Sequence, residues 1–306
     1  MASLTIPAGA NMPPHVAILD KTVCISITFG CLGNTRKVST SQVEVDADKD
    51  FIHVSKSLIE SKELGAIKSH DGHTMSWLKT ICLPSLFRTG VYLIPIPAIE
   101  RVQTFLTNSQ AKRAELVQAF LAVYEAQKAD AKERLKGLYN PADYPSLARV
   151  EATFTFEWAW VSFATPGKLK EISADFFKAE QDKAAKQWTA ATEEITMLLR
   201  STASELVDHL VEVLTPGEDG KPRRFHATTV TKLSEFLENF SIRNVTDDKV
   251  LASIVDSAQK LLNGVDVKDL RENEAVRDGV HKSFELVKTC LDSLVTEGGS
   301  RKITFD

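Results

Sequence analysis

The residues able to carry chemistry are few and scattered along the chain. His70-Asp-Gly-His73 is the one local histidine cluster. Two imidazoles flanking an acid could begin a metal site, but zinc wants three or four ligands, and no others stand close by. The pair also straddles Gly72, so a solvent-exposed, glycine-bearing turn is the favoured reading. Gly30-x-x-Gly33 runs into Arg36 and Lys37 directly after an alternating apolar stretch. Backbone amides at such a turn can receive phosphate. The orders GxxxxGKS/T and GxGxxG are both missing, however, and glycine's tolerance of positive φ explains a tight turn by itself. Cys24, Cys31, Cys82 and Cys290 are widely spaced, with no CxxC pair. That argues against a zinc ribbon, a thioredoxin-like motif or a disulfide scaffold, and Cys24 and Cys82 read as buried structural thiols.

Two further groups of residues suggest nucleic acid. Phe154, Phe156, Trp158 and Trp160 occupy alternate positions and could stack bases. A stacking platform wants interleaved Lys or Arg, and this stretch carries Glu151 and Glu157 instead, which favours a core face. Lys221-Pro-Arg-Arg224 is a compact basic cluster, but so few cations neutralise few phosphates. The net charge of −4 gives no general attraction to DNA or RNA. Arg36, Lys37, Lys221, Arg223 and Arg224 are therefore weak nucleic-acid candidates. Paired carboxylates at a defined separation and HExxH are missing from the sequence, and no Ser-His-Asp set stands at a recognisable catalytic spacing. No catalytic, cofactor-binding or metal-binding residue is assigned, no cofactor is expected, and the chain reads as non-enzymatic.

The elements behind these residues are mostly helical. The chain is organised around Lys168 to Thr215, which Pro166-Gly167 and Pro216-Gly217 bracket and which contains neither residue type. One helix over 168–215 is expected, roughly 70 Å long at the usual rise. Trp188, Ile195, Leu198, Leu206 and Leu210 lie on a single stripe of it. A second long helix over 98–137 carries Phe120 and Tyr124 in its own stripe, and Gly137 ends it. The fold class expected is mainly α with a small antiparallel β-sheet (α+β), built as a long antiparallel helical hairpin of 98–137 and 168–215 plus a C-terminal helical bundle. The seven stripe residues just named are the candidates for an interaction surface.

In chain order, residues 1–20 read as a flexible arm, because Pro7, Pro13 and Pro14 interrupt them. Residues 23–29 and 38–45 alternate as strands. Asp46 or Asp48 could cap a helix over 49–62 with Phe51, Val54, Leu58 and Ile59 on one face. Residues 64–89 are mixed, and 90–94 form a short strand before Pro95 and Pro97. The alternation over 150–160 is the strongest strand signal in the chain. Residues 217–228 form a linker, 229–297 hold helices near 229–240, 247–262 and 273–295, and 298–306 form a tail. The N-terminus lacks a basic region ahead of an apolar run, so a secretory signal is not expected. The uncharged run Thr80–Phe87 is far too short for a bilayer, and a cytoplasmic protein without membrane contact is expected.

One sequence of features is shared with a known group. An Ile25-Ser-Ile27 strand enters a glycine turn with Arg36-Lys37; Trp77 and Leu83-Pro84 lead to Gly90-Val-Tyr-Leu-Ile-Pro95. The long helix with Phe120 and Tyr124 follows, then Ala142-Asp-Tyr-Pro145 and the Phe154/Phe156 strand. Over about residues 20–180 this resembles an uncharacterised bacterial family, a domain of unknown function encoded in phages and integrative elements. Members of that family tend to be encoded near a MoxR-type AAA+ ATPase, a von Willebrand A-type partner and phage recombination genes. The resemblance implies a mobile-element accessory in a bacterial host, with such a protein as partner, and supplies no catalytic residue. The function expected is therefore assembly, by self-association as a homo-oligomer or by docking a partner such as the AAA+ ATPase. The alternative is a nucleic-acid-binding accessory of phage recombination or replication.

Overall fold

The computed structural model describes residues 14–39, 48, 51–84, 89–163, 165–217, 223 and 226–297. The fold is mainly α with a small antiparallel sheet, as the periodicities require. The chain divides into two compact units. The first takes Met1–Ile25, Lys79–Ile99 and Trp160–Asp306, and the second takes Ser26–Leu78 and Glu100–Ala159. Helix α1 is Pro14–Lys21, with β1 Thr22–Phe29, β2 Thr35–Val38, β3 Val54–Ser57 and α2 Lys62–Ile81 behind it. Next come β4 Leu83–Pro84, β5 Val91–Pro95, α3 Ile99–Leu135, α4 Leu147–Glu151 and β6 Phe156–Val161. The remaining elements are α5 Leu169–Ile172, α6 Ala174–Leu214, α7 Ala227–Arg243, α8 Lys249–Leu262, α9 Val267–Glu272 and α10 Glu274–Glu297. The strand orders are β4-β5-β1-β6 and β2-β3, and no described helix is long and apolar enough to cross a membrane.

In the first unit, α6 is the axis. Trp188, Ala191, Ile195, Leu199, Ala203, Val207 and Leu210 are buried along it, and α1, α7 and α10 pack against it. Ion pairs and hydrogen bonds set the α6/α10 register as antiparallel: Thr215 meets His281, Asp208 meets Lys288 and Ser204 meets Asp292. Helices α7 and α10 lie on α6, α8 packs on α7 and α10, and α9 on α10, so the C-terminal bundle takes α6 as a member. Asp248 caps α8 by accepting from the Leu251 amide, and its carboxylate also holds Arg200 at 2.7 Å. Gly264, at φ +79, takes the left-handed position after α8.

In the second unit, Val117, Phe120, Leu121, Tyr124 and Ala131 of α3 are buried with Leu58, Ile59, Leu64, Ile67, Tyr144 and Val150. Tyr124 donates to the Pro145 carbonyl and Tyr144 to that of Leu58. Asn34 holds the segment after β3 from both sides, donating to the Ile59 carbonyl and accepting from the Ile59 amide.

Several expectations need correcting. The hairpin of 98–137 against 168–215 is not how either stripe is covered: α3 and α6 belong to different units, and each stripe is buried in the core of its own. The 168–215 rod is broken at Ser173, whose extended backbone separates α5 from α6 and whose hydroxyl caps α6 by accepting from the Phe176 amide. Residues 14–20 are not a loose arm but most of α1, with Ile18 buried and Pro14 at the first helical position, where its missing N–H costs nothing. The helix expected over 49–62 is absent from its described part, because Val54–Ser57 pair with Thr35–Val38 as a hairpin. Within 150–160 only Phe156 onward is strand. Residues 147–151 are helical, and the amides of Thr153 and Phe154 turn back onto Val150 and Glu151. The strand expected over 38–45 appears as Thr35–Val38, with 40–47 outside the described residues, as are 1–13 and the tail 298–306. Helix α7 begins at Ala227, inside the expected linker.

Candidate functional site

A connected polar cluster sits where α2 faces α3 in the second unit. His70, Asp71 and Thr74 come from α2, and Ser109 and Arg113 from α3. Thr74 stands three residues from Asp71 and four from His70, and Arg113 four from Ser109, spacings that put each set on one helix face. Arg113 is 2% exposed. Its Nε and Nη2 donate to the two Asp71 oxygens at 2.7 and 3.1 Å, and Nη2 also donates to the Gly30 carbonyl at 2.7 Å. The Phe29 and Phe154 rings lie 5.7 and 5.9 Å from the guanidinium carbon. A buried cation needs such company, because an unpaired one is costly to desolvate.

Beside it stands a Ser-His pair. His70 Nε2 is 3.0 Å from Ser109 Oγ, within reach for a general base and its nucleophile. The remaining bonds exclude that role. Nε2 also lies 2.9 Å from the Ser109 carbonyl, an acceptor only, so this nitrogen carries the proton and has no lone pair to take one. The Thr74 hydroxyl donates to the His70 carbonyl, which leaves Ser109 to donate to Thr74 over 2.6 Å. Asp71 is committed to Arg113 and does not orient the imidazole. Ser109 is 5% exposed. The Ser109 and Thr74 hydroxyl hydrogens and the His70 Nε2 hydrogen are each donated inside the cluster, which makes it a clamp between two helices.

The turn at Gly30 is filled in the same way. Its amide donates to the Thr155 carbonyl at 2.8 Å, and a Cβ added there would stand 2.4 Å from both the Thr153 carbonyl and the Thr155 hydroxyl oxygen. Close backbone approach is what this glycine serves, and its amide is already taken. His70 and His73 lie on α2, correcting the expected loop, and no described group of three His, Cys, Asp or Glu could hold a metal ion.

The buried thiols are equally quiet. Burial pushes Cys82 up to about 12 and Cys24 to about 11, so both stay protonated and unreactive at neutral pH. Arg243, close to Cys82, is held down at about 10 by burial and remains charged; its Nε has no partner, and the Phe236 ring lies 5.8 Å from the guanidinium carbon. A cavity of about 10 Å³ among Val207, Phe236, Ile254, Val255 and Val287 is wholly apolar and holds at most a single water-sized volume.

The interaction candidates are core residues. Trp188, Ile195, Leu210, Phe120 and Tyr124 are buried, while Leu198 and Leu206 are half-buried. Five of these seven therefore cannot form an open docking edge. Among the basic candidates, Arg36 bonds the Gly33 and Thr35 carbonyls and lies 3.9 Å from Asp143, while Lys37 is exposed. Arg223 lies 3.8 Å from Glu212, and Lys221 and Arg224 fall outside the described residues. The alternating aromatics divide: Phe156 is buried, Trp158 half-buried and Trp160 47% exposed. Sequence reasoning missed the Asp71–Arg113 and His70–Ser109 pairs; their partners are some forty residues apart, and only the single-face spacing on each helix hinted at them. No family model matches this chain, and no curated protein or solved structure matches it.

Proposed function

We propose that the protein is a non-enzymatic interaction protein, and that its partner meets the leading segment of α6. The observation that carries this is the exposure of 174–187, where no residue is buried. Ile172 and Phe176 at its head are 77% and 51% exposed. Phe177 and Ala184 continue the stripe that Trp188, Ala191 and Ile195 bury further along, so the same apolar seam runs on past its cover. The occupant that fits an extended seam is what covers the rest of it, an amphipathic helix, here supplied by a protein partner. The clamped polar cluster supports the non-enzymatic reading, since the Ser109 hydroxyl hydrogen and the His70 Nε2 hydrogen are already engaged inside it.

By the resemblance over residues 20–180, the partner to test is a MoxR-type AAA+ ATPase or a von Willebrand A-type protein of the same mobile element. Solution mass by light scattering, with the protein alone and mixed with each, should show a complex that Phe176→Glu with Phe177→Glu abolishes without changing the far-UV spectrum. A complex that both substitutions leave intact, or no complex with either protein, refutes the reading. The nucleic-acid alternative has less behind it, because Arg36 and Arg223 have acidic neighbours and Phe156, inside the aromatic alternation, is buried.

A further inference from the structure

The two ends of the four-stranded sheet are built differently. One is β4, two residues long and ending in Pro84, a blunted edge by length and by a missing donor. The other is β6, Phe-Glu-Trp-Ala-Trp-Val over 156–161, with neither proline nor glycine and with Glu157 as its single charge. An edge strand offers a row of unpaired N–H and C=O groups, and natural sheets cover or blunt such rows. Here Gln110 Nε2 donates to the Phe156 carbonyl at 2.8 Å, which occupies the first residue only. Glu157, Ala159 and Trp160 are exposed, and Trp158 and Val161 half-buried.

We infer that β6 pairs with β6 of a second copy of this chain, antiparallel about a two-fold axis through Ala159. The sequence is complementary to itself in that register. Trp158 stands opposite Trp160 twice, giving two cross-strand aromatic pairs, and Glu157 stands opposite Val161, so no like charges meet. The register one pair back would bring Phe156 into the ladder, yet Phe156 is buried and its carbonyl already taken. Pairing over 157–161 uses all five of the remaining residues. The surface is separate from the leading segment of α6, so this dimer does not rest on the partner proposed there.

Sedimentation of the full chain over a wide concentration range tests it. A monomer–dimer equilibrium is expected, and a strict monomer overturns the inference. Ala159→Lys places two ammonium groups face to face on the axis and should weaken the dimer by up to about fivefold, the upper size of one unfavourable cross-strand pair. A dimer indifferent to Ala159→Lys overturns the pairing, whereas one indifferent to Phe176→Glu is expected. Should Ala159→Lys fail to fold, Ala159→Cys in a Cys31→Ser/Cys290→Ser background serves instead. Directly opposed residues of an antiparallel pair lie within disulfide reach, so mild oxidation should give a covalent dimer. A monomer after oxidation overturns the inference.

Discussion

Asp71→Ala tests the clamp directly. The substitution strands Arg113, whose side chain is 3% exposed and whose bidentate partner is Asp71. Removing one member of a buried pair costs about 3–5 kcal/mol, because the remaining charge stays desolvated. Two features pull the figure toward the lower end. The Gly30 carbonyl still accepts from Nη2, with the Phe29 and Phe154 rings facing the guanidinium. The Asp71 side chain is 16% exposed, so its truncation opens a path for water. A loss of about 3 kcal/mol follows. Arg113→Met takes the charge away with its desolvation cost and should cost less, about 2 kcal/mol. The double variant leaves no stranded charge and should fall short of the sum of the singles by about 1–2 kcal/mol. Because the two units need not unfold together, urea titration should be read by hydrogen exchange of peptides from α2 and α3 as well as by circular dichroism. An Asp71→Ala cost below about 1 kcal/mol, or strict additivity of the singles, would refute the buried-pair argument.

Other consequences can be checked more simply. Gly30→Ala should destabilise by about 1–3 kcal/mol, since the new Cβ meets backbone, whereas at Gly33 it would meet only the far end of Arg36 at 3.5 Å, so Gly33→Ala should leave the thermal midpoint nearly unchanged. A thiol reagent should titrate Cys31 and Cys290 quickly in the native protein and reach buried Cys24 and Cys82 only on denaturation; four fast equivalents would contradict the burial. At Asp248, burial raises the pKa, but the Arg200 bond and the Leu251 and Val250 amides outweigh it and hold the carboxyl below its ordinary value. Its stabilisation is therefore complete above the unfolded value of about 4 and disappears as pH falls through the folded one. Asp248→Asn should cost about 1–3 kcal/mol at neutral pH, and the gap from wild type should close in acid; a gap independent of pH would refute the assignment.

What the sequence made legible was whatever repeats on a short period. The Val23–Phe29 alternation, the uninterrupted Ile99–Leu135 helix and the apolar stripe of α6 all appear where their spacing puts them. What it concealed depends on partners distant in the chain. Residues 54–57 satisfy a helical stripe and a strand equally well, and pairing with Thr35–Val38 decides between them. Likewise, the stripes of α3 and α6 signal that each helix buries a face, but not against what. The His70-Asp-Gly-His73 segment looks like a turn because of Gly72, yet Thr74 and Asp71 bind α3 side chains and keep the helix running through it. Ser173 cut the expected rod because a serine can cap as readily as it can sit inside a helix.

Neither compact unit is a continuous piece of chain; the backbone passes between them four times, inside β1, inside α2, at Ile99–Glu100 and inside β6. During synthesis, Ile18 and Ile25 emerge long before the α6 residues that share their unit, and contacts so distant in sequence are slow to close. The early strand must wait with its apolar side chains uncovered, the kind of interval in which a nascent chain is exposed to aggregation. Neither unit can be isolated by cutting at one point, and a ribosome stalled before α6 would hold a chain in which the first unit cannot yet close.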